Sequence, residues 1–497
     1  MTDLAALKGQ PVEGHRPWPR LLVNADTWQD AINGLAKDRW TLSGLWGDDG
    51  AVHMALMAAA DLRVLSLPCP DGDFPSIGGL HPPAIRLERT ISDLYGLVPR
   101  GAADTRPWLD HGSWGLRHPL GTPQGGVAPQ TYPFLSAEGE GIHQIPVGPV
   151  HAGIIEPGHF RFHANGETIV RLEARFGYTH KGVEGLMQGA DLDRGSKLAG
   201  RVSGDSTVAY ALAFARATEA ALNVDAPDRA QWLRALMAEM ERLANHLGDI
   251  GAICNDASFS LMLAHCAVLR ERVLRAANIC FGHRLMRDCV VPGGVVRDLD
   301  KASVSILQAL VNEIRTRFPG LVALYDSTTS LQDRTVATGI LKAGLAQKFG
   351  AGGYVGRASG RDFDARRALA YPPYDRLSFE VPVFQEGDVN GRVWVRIREV
   401  EQSLSLIDQI LAGLPDGPIH APVGAQAGEG MAVVEGFRGD VLAWLRLDED
   451  GHIERCHLRD PSWFQWPLLE AAIEGNIVAD FPLCNKSFNC SYSGCDL

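Results

Sequence analysis

At 497 residues the chain exceeds one ordinary domain and suits roughly two to four. It is 45% apolar and 21% charged, the balance of a folded chain with large cores. A net charge of −12 argues against nucleic acid as a main partner, because phosphate binding needs clustered Lys and Arg. No stretch reaches about 18 consecutive apolar residues, so no transmembrane helix is expected. The start "MTDLAALKGQPVEGHRPWPR" lacks a basic flank before an apolar core, which predicts no signal peptide. The chain is therefore expected in the cytoplasm, with membrane attachment only through partners. Its nine cysteines, an odd number, argue against a disulfide framework.

In chain order, residues 1–115 read as a small α+β domain. "AVHMALMAA" begins with strand-like alternation, and "DLRVLSLPCP" is a strand closed by proline. "HPPAIRLERTISDLYGLVP" is a loop feeding a short helix, with Ile91, Leu94 and Tyr95 on one face. The Gly- and Pro-rich stretch over 116–144 has no periodicity and reads as a linker. Residues 145–497 form the second predicted domain. It opens with a hairpin around the turn "ANGE". Helical periodicity then dominates from "TVAYALAFARATEAAL" through "APDRAQWLRALMAEMERLANHLGDIGAI", where Pro227 suits a first turn behind Asp225 as cap. "VVPGGVV" breaks the run. "KASVSILQALVNEIRTRFPGLVALY" is a helix expected to end near Pro319 and Gly320. "RVWVRIREVEQSLSLIDQILAGL" passes from strand-like to helical, and "DEDG" signals a hairpin in an alternating C-terminal stretch.

Several stretches together carry a family resemblance. "RFHANGETIVRLEARFGYTHKGVEGLM", "APDRAQWLRALMAEMERLANHLGDIGA", "GRASGRDFDARRALAYPPYDRLSFEVPVFQEGDVNGRVWVRIREVEQS" and "HLRDPSWFQWPLLEAAIEGNIVADFPLCNKSF" resemble the [NiFe]-hydrogenase large subunit and its relative, the quinone-site subunit of complex I. "FPSIGGLHPPAIRLERTISDLYGLVP" is similar to the adjacent small hydrophilic subunit of complex I. The whole chain thus resembles the fused large subunit of energy-converting hydrogenases of the formate hydrogenlyase type. The resemblance implies an α+β fold: a small N-terminal domain, then a domain with a central helical bundle and peripheral antiparallel sheets.

In that family two Cys-x-x-Cys pairs hold nickel and iron, because soft thiolates suit a low-valent centre. The first pair matches "RVSGDS", where Ser203 and Ser206 stand in place of cysteine. Aligning "PLCNKSFNCSYSGCD" on its proline and tyrosine puts the second pair at Ser491 and Gly494. Cys490 and Cys495 flank those positions. The resemblance therefore implies an emptied metal cavity, with Ser203, Ser206 and Ser491 in its wall and no metal ligand. Cys484, Cys490 and Cys495 read as small buried hydrophobes, with a metal or redox role as alternatives.

The emptied cavity helps bind a quinone headgroup in complex I, next to a 4Fe-4S cluster in a partner subunit. By that resemblance His151 is the candidate proton or hydrogen-bond donor to an acceptor, with His159 further on. Asp205 either relays protons or caps the following helix. Glu156, Glu184, Glu386 and Asp388 are further family acids, each with a salt bridge to Arg161, Lys181, Arg392 or Arg357 as its plain alternative. His283, Arg284 and Arg287 are expected on a helix. No Gly-rich nucleotide motif occurs in the right context, so any NAD link would run through another subunit. The implied partners are a small iron–sulfur subunit, a ferredoxin-like subunit and antiporter-like membrane subunits. The implied location is the inner face of the cell membrane. Two alternatives are a coupling subunit without substrate and a hydrogenase with unusual ligation.

Overall fold

The computed structural model describes residues 4–149 and 155–497. The architecture is α+β. The N-terminal region builds a five-stranded sheet in the spatial order Gln10–Pro11, Arg20–Leu22, Asp61–Pro68, Ala51–Ala58, Thr41–Asp48. Its pairs are antiparallel except Arg20–Leu22 with Asp61–Pro68. The helix Ala25–Ala36 starts at Asn24, whose side-chain oxygen accepts the Thr27 N–H at 3.0 Å. It turns Trp28, Ile32 and Leu35 inward. The helix Ile85–Tyr95 buries the expected Ile91, Leu94 and Tyr95 and ends on Gly96 in the left-handed conformation.

The 116–144 segment is mostly extended and carries one short ladder, Leu116–Arg117 with Gln124–Gly125. Beyond it, Ile142–Val147, His159–Asn165 and Thr168–Arg175 pair antiparallel around the Asn165–Gly166 turn. The bundle consists of Thr207–Leu222, Asp228–Asp256, Ser260–Phe281, Lys301–Ser327 and Val389–Gly413. A C-terminal meander, Gly428–Gly436, Gly439–Leu447 and Ile453–Arg459, is buried on both faces. The bundle helix Thr207–Leu222 covers one face. The N-terminal sheet covers the other, through Trp46, His53, Trp444 and His457, with Trp46 stacked on His457 at 4.9 Å. The strand His15–Arg16 joins this meander in parallel beside Glu429–Gly430. Asp48 and Arg446 pair across the same junction at 2.6 Å.

Four local expectations are corrected. Asp225 does not cap the long helix; Pro227 precedes it without a side-chain cap. Pro319 and Gly320 do not end their helix, which runs to Ser327. Its buried stripe of Leu307, Leu310, Val311, Ile314, Phe318 and Tyr325 continues past the proline, and that packing outweighs one lost backbone hydrogen bond. "RVWVRIREV" is helical throughout, because Arg392, Arg396 and Glu399 lie on the buried face and disguise its period. His283, Arg284 and Arg287 follow the helix Ser260–Phe281, which stops at Gly282.

Candidate functional site

The loop "RVSGDS" and the C-terminal turn meet. Ser203 Oγ lies 2.9 Å from Ser491 Oγ, although the two residues are 288 apart in sequence. Ser491 opens the short helix Tyr492–Asp496, its Oγ accepting the Gly494 N–H at 2.9 Å. The four positions aligned on sequence therefore gather around one point. Gly494 packs against Asp460: a Cβ there would come 2.5 Å from a carboxylate oxygen. Asp460 is fixed by the Tyr210 hydroxyl at 2.7 Å and the Ser462 N–H at 2.8 Å, so a larger residue at 494 must displace it.

The centre of this cluster is held by Arg438, a residue that sequence reasoning did not single out. It sits at the turn between Gly428–Gly436 and Gly439–Leu447. Its Nη1 and Nη2 donate to the two Asp205 carboxylate oxygens at 2.7 and 2.5 Å, a bidentate pair. Nη1 also reaches Ser206 Oγ at 3.1 Å, and Nε donates to the Asn489 carbonyl at 2.5 Å. Ser203 donates its hydroxyl to Asp205 at 2.9 Å. Burial works to raise the Asp205 carboxyl, but the Arg438 charge outweighs it and holds the group below the ordinary carboxylate range. The signal available in sequence was "EGFRGD", an arginine placed at a tight turn between two alternating runs.

Asp205 does not cap the helix Thr207–Leu222. Glu241, from the neighbouring helix, does so instead. Its two carboxylate oxygens accept the Val208 and Ala209 N–H groups at 2.7 and 3.1 Å. Burial pushes the Glu241 carboxyl up to about 8, with Asp205 adding to the rise. A crevice lined by Asp205, Glu241, Asn245, Arg270 and Arg284 has a volume of 10 Å³, room for about one water.

The remaining sequence candidates scatter around this cluster. His151 lies outside the described residues. Glu156 accepts the Ser493 N–H at 3.1 Å, beside the second loop, rather than pairing with Arg161. His159 shares its Nδ1 with the Gly148 carbonyl at 3.2 Å, and burial lowers its pKa. Glu184 is bound by Arg455 at 2.9 Å and His457 at 2.8 Å, not by Lys181. Against the opposing effect of burial, those partners hold it down to about 2. Asp388 caps Val389–Gly413 through the Gly391 N–H at 2.7 Å. Among the described residues Glu386 accepts just the neighbouring Gln385 N–H, at 3.0 Å. The three terminal cysteines are buried and free. Burial raises each thiol, Cys484 to about 11, which is the setting of inert core cysteines.

A nickel–iron group does not fit these residues. The four aligned positions supply three hydroxyls and a glycine, and the space between them holds a guanidinium–carboxylate pair. Hydroxyls are hard donors that stay protonated near neutral pH, whereas the group needs soft thiolates.

The family described as "Respiratory-chain NADH dehydrogenase, 49 Kd subunit" matches residues 256–424 and 421–497. The family of the 30 Kd subunit of the same enzyme matches residues 21–123. Hydrogenase-4 component G of Escherichia coli is 30% identical over 96% of this chain and 85% of its own length. The carbon monoxide-induced hydrogenase of Rhodospirillum rubrum is 31% identical over 70% of this chain and 97% of its own. Among solved structures, a chain of an archaeal respiratory complex, the membrane-bound sulfane sulfur reductase, superposes with a TM-score of 0.68 at 26% identity. That match covers 72% of this chain and 99% of the other.

Proposed function

Because the chain belongs to the complex I-like family of fused 30 Kd-type and 49 Kd-type regions, with hydrogenase-4 component G among its relatives, we propose that it works in the hydrophilic arm of a membrane-bound oxidoreductase without nickel or iron of its own. In this reading electrons arrive beside the serine cluster from a small iron–sulfur partner. A quinone-like acceptor takes them, and the event is linked to ion movement through antiporter-like partners. Among the described residues no helix is long and apolar enough to cross a membrane, so the proposed membrane contact runs through those partners.

One observation carries the proposal: Ser203, Ser206, Ser491 and Gly494 converge and are bridged by Arg438 and Asp205. Such a cluster supplies a fixed cation and a carboxylate that hold charge when a neighbouring acceptor is reduced. His151, by its place in the sequence, and Glu156, which accepts the Ser493 N–H, are the proposed proton donors. Metal analysis of the purified complex is the direct test. It should find iron in the partner subunits and no nickel; one nickel per chain overturns the reading. His151→Ala should lower electron transfer severalfold or more in a complex that still assembles.

The satisfied state of Asp205 favours a second reading. Its carboxylate already receives Arg438 and Ser203, as expected of a coupling element that binds no substrate. Under that reading His151→Ala leaves electron transfer unchanged, while Arg438→Met uncouples it from ion movement.

A further inference from the structure

A cavity of 780 Å³ lies away from the serine cluster, where the N-terminal strand region meets the bundle. Its walls come from Trp18, Arg216, Gln231, Tyr371, Met431 and Val433, among others. The volume falls in the range of small-molecule sites. Arg216 stands ten positions beyond Ser206 in sequence, on the helix that begins at Thr207, so it is about 15 Å along that helix from the cluster.

Arg216 is a part-buried cation on this wall. Among the described residues it has no hydrogen bond and no ion pair; its one close partner is the Tyr371 ring, 4.8 Å away. Burial lowers its pKa, and Tyr371, Glu219 and Asp375 only partly offset the fall. The nearest carboxylate on the cavity wall, Glu219, is already committed. It takes Arg234 at 2.5 and 3.1 Å and the Gly293 N–H at 2.8 Å. Asp225, also on the wall, is exposed and makes no ion pair among the described residues. A second wall group is unmet as well: Gln231 Oε1 is buried without a donor, while its Nε2 is anchored on the Ala226 carbonyl at 3.1 Å. Gln231 Oε1 has no surface open to the cavity, so what the wall offers a ligand is the part-buried Arg216 guanidinium, which has no direct hydrogen-bond partner among the described residues.

We propose that this cavity binds a small organic anion, its carboxylate or phosphate on Arg216. The apolar part of the ligand rests on Trp18, Tyr371, Met431 and Val433. The inference does not rest on the redox reading of the serine cluster and survives its failure.

Calorimetric titration of the full-length chain with lactate, glycerol 3-phosphate, acetate and inorganic phosphate tests it. Lactate or glycerol 3-phosphate should bind saturably, and more tightly than acetate or phosphate, which bring less carbon to the apolar wall. Arg216→Met should abolish binding while leaving the ligand-free chain about as heat-stable as before, since among the described residues Arg216 makes no hydrogen bond or ion pair to lose. If Arg216→Met destabilises the ligand-free chain, the arginine is a framework residue and the proposal fails. It also fails if none of the four probes binds, or if binding persists in Arg216→Met. Protection of an Asn223→Cys thiol by a partner subunit, with no probe binding, would assign the cavity to a partner's carboxylate instead.

Discussion

Two interiors of this molecule are built on opposite principles. The N-terminal sheet encloses an apolar core in which Trp28, Leu56, Leu62, Val64 and Leu65 are fully buried. The bundle and the meander instead close around a charged lattice. Glu239, Arg242, His246, Arg357, Asp364, Arg366, Glu399 and Glu435 are each no more than 3% exposed. Arg357 alone binds Glu399, Glu435 at 2.9 Å and Asp364 at 3.4 Å. Arg366 reaches Asp364 at 2.6 Å and Glu239 at 2.9 Å. His246 reaches Glu399 at 2.5 Å. Apolar burial is additive and forgiving. A buried ionic lattice contributes little net stability while complete, yet each missing member strands a charge. The difference teaches that the second interior is specified by completeness, not by area.

The sharpest way to break that contrast is Arg357→Met. It should cost about 3–5 kcal/mol, read as a shift of the urea midpoint with unchanged slope, because three buried carboxylates lose an ion pair and Glu435 has no other among the described residues. A cost below about 1 kcal/mol would show the lattice to be dispensable. Leu56→Ala, in the apolar interior, should cost about 2–4 kcal/mol by cavity formation and should be insensitive to pH and salt. The next prediction concerns pH. Glu241 titrates at about 8 when folded, against an ordinary glutamate value of 4.5. The folded chain therefore holds a proton that the unfolded chain gives up first. The stability this contributes is complete below pH 4.5 and is lost as pH rises through about 8. Glu241→Gln should flatten that decline; an unchanged pH profile would remove Glu241 as its source. Smallest, Ser203→Ala should cost about 1 kcal/mol, since one hydroxyl links Ser491 and Asp205. A loss of several kcal/mol would mean the serine cluster is a keystone rather than a filled recess.

The same contrast explains what could be read from sequence. Where interior residues are apolar, period reveals the element: the hairpin at Asn165–Gly166, the strands Ala51–Ala58 and Asp61–Pro68, and the helix Thr207–Leu222 stand where the residues indicated. Where charged interior residues fall in the first turns of an element, as in Val389–Gly413, period misleads. Arg392, Arg396 and Glu399 look like a solvent face, which gives the first turns of Val389–Gly413 the pattern of a strand. The helix Ala25–Ala36 has too short an apolar stripe to stand out. At the site, Ser203, Ser206, Ser491 and Gly494 were legible because a family pattern fixed their spacing. Arg438 and Glu241 were not, because each acts across a tertiary contact: Arg438 on a loop 233 residues away and Glu241 on a helix end 33 residues away. No local rule links a capping carboxylate to a helix other than its own.

The strand His15–Arg16 has a consequence for assembly. It ties the segment just ahead of the 30 Kd-type match to the meander of the 49 Kd-type region by a ladder only two residues long. Between separate molecules the ladder alone would hold only at very high concentration, and the Trp46–His457 stack and the Asp48–Arg446 pair would have to carry the rest. Within one chain the partner strand is always present, at an effective concentration set by the connecting segment rather than by expression level. Dilution cannot part the two regions, and their one-to-one ratio is fixed by translation itself.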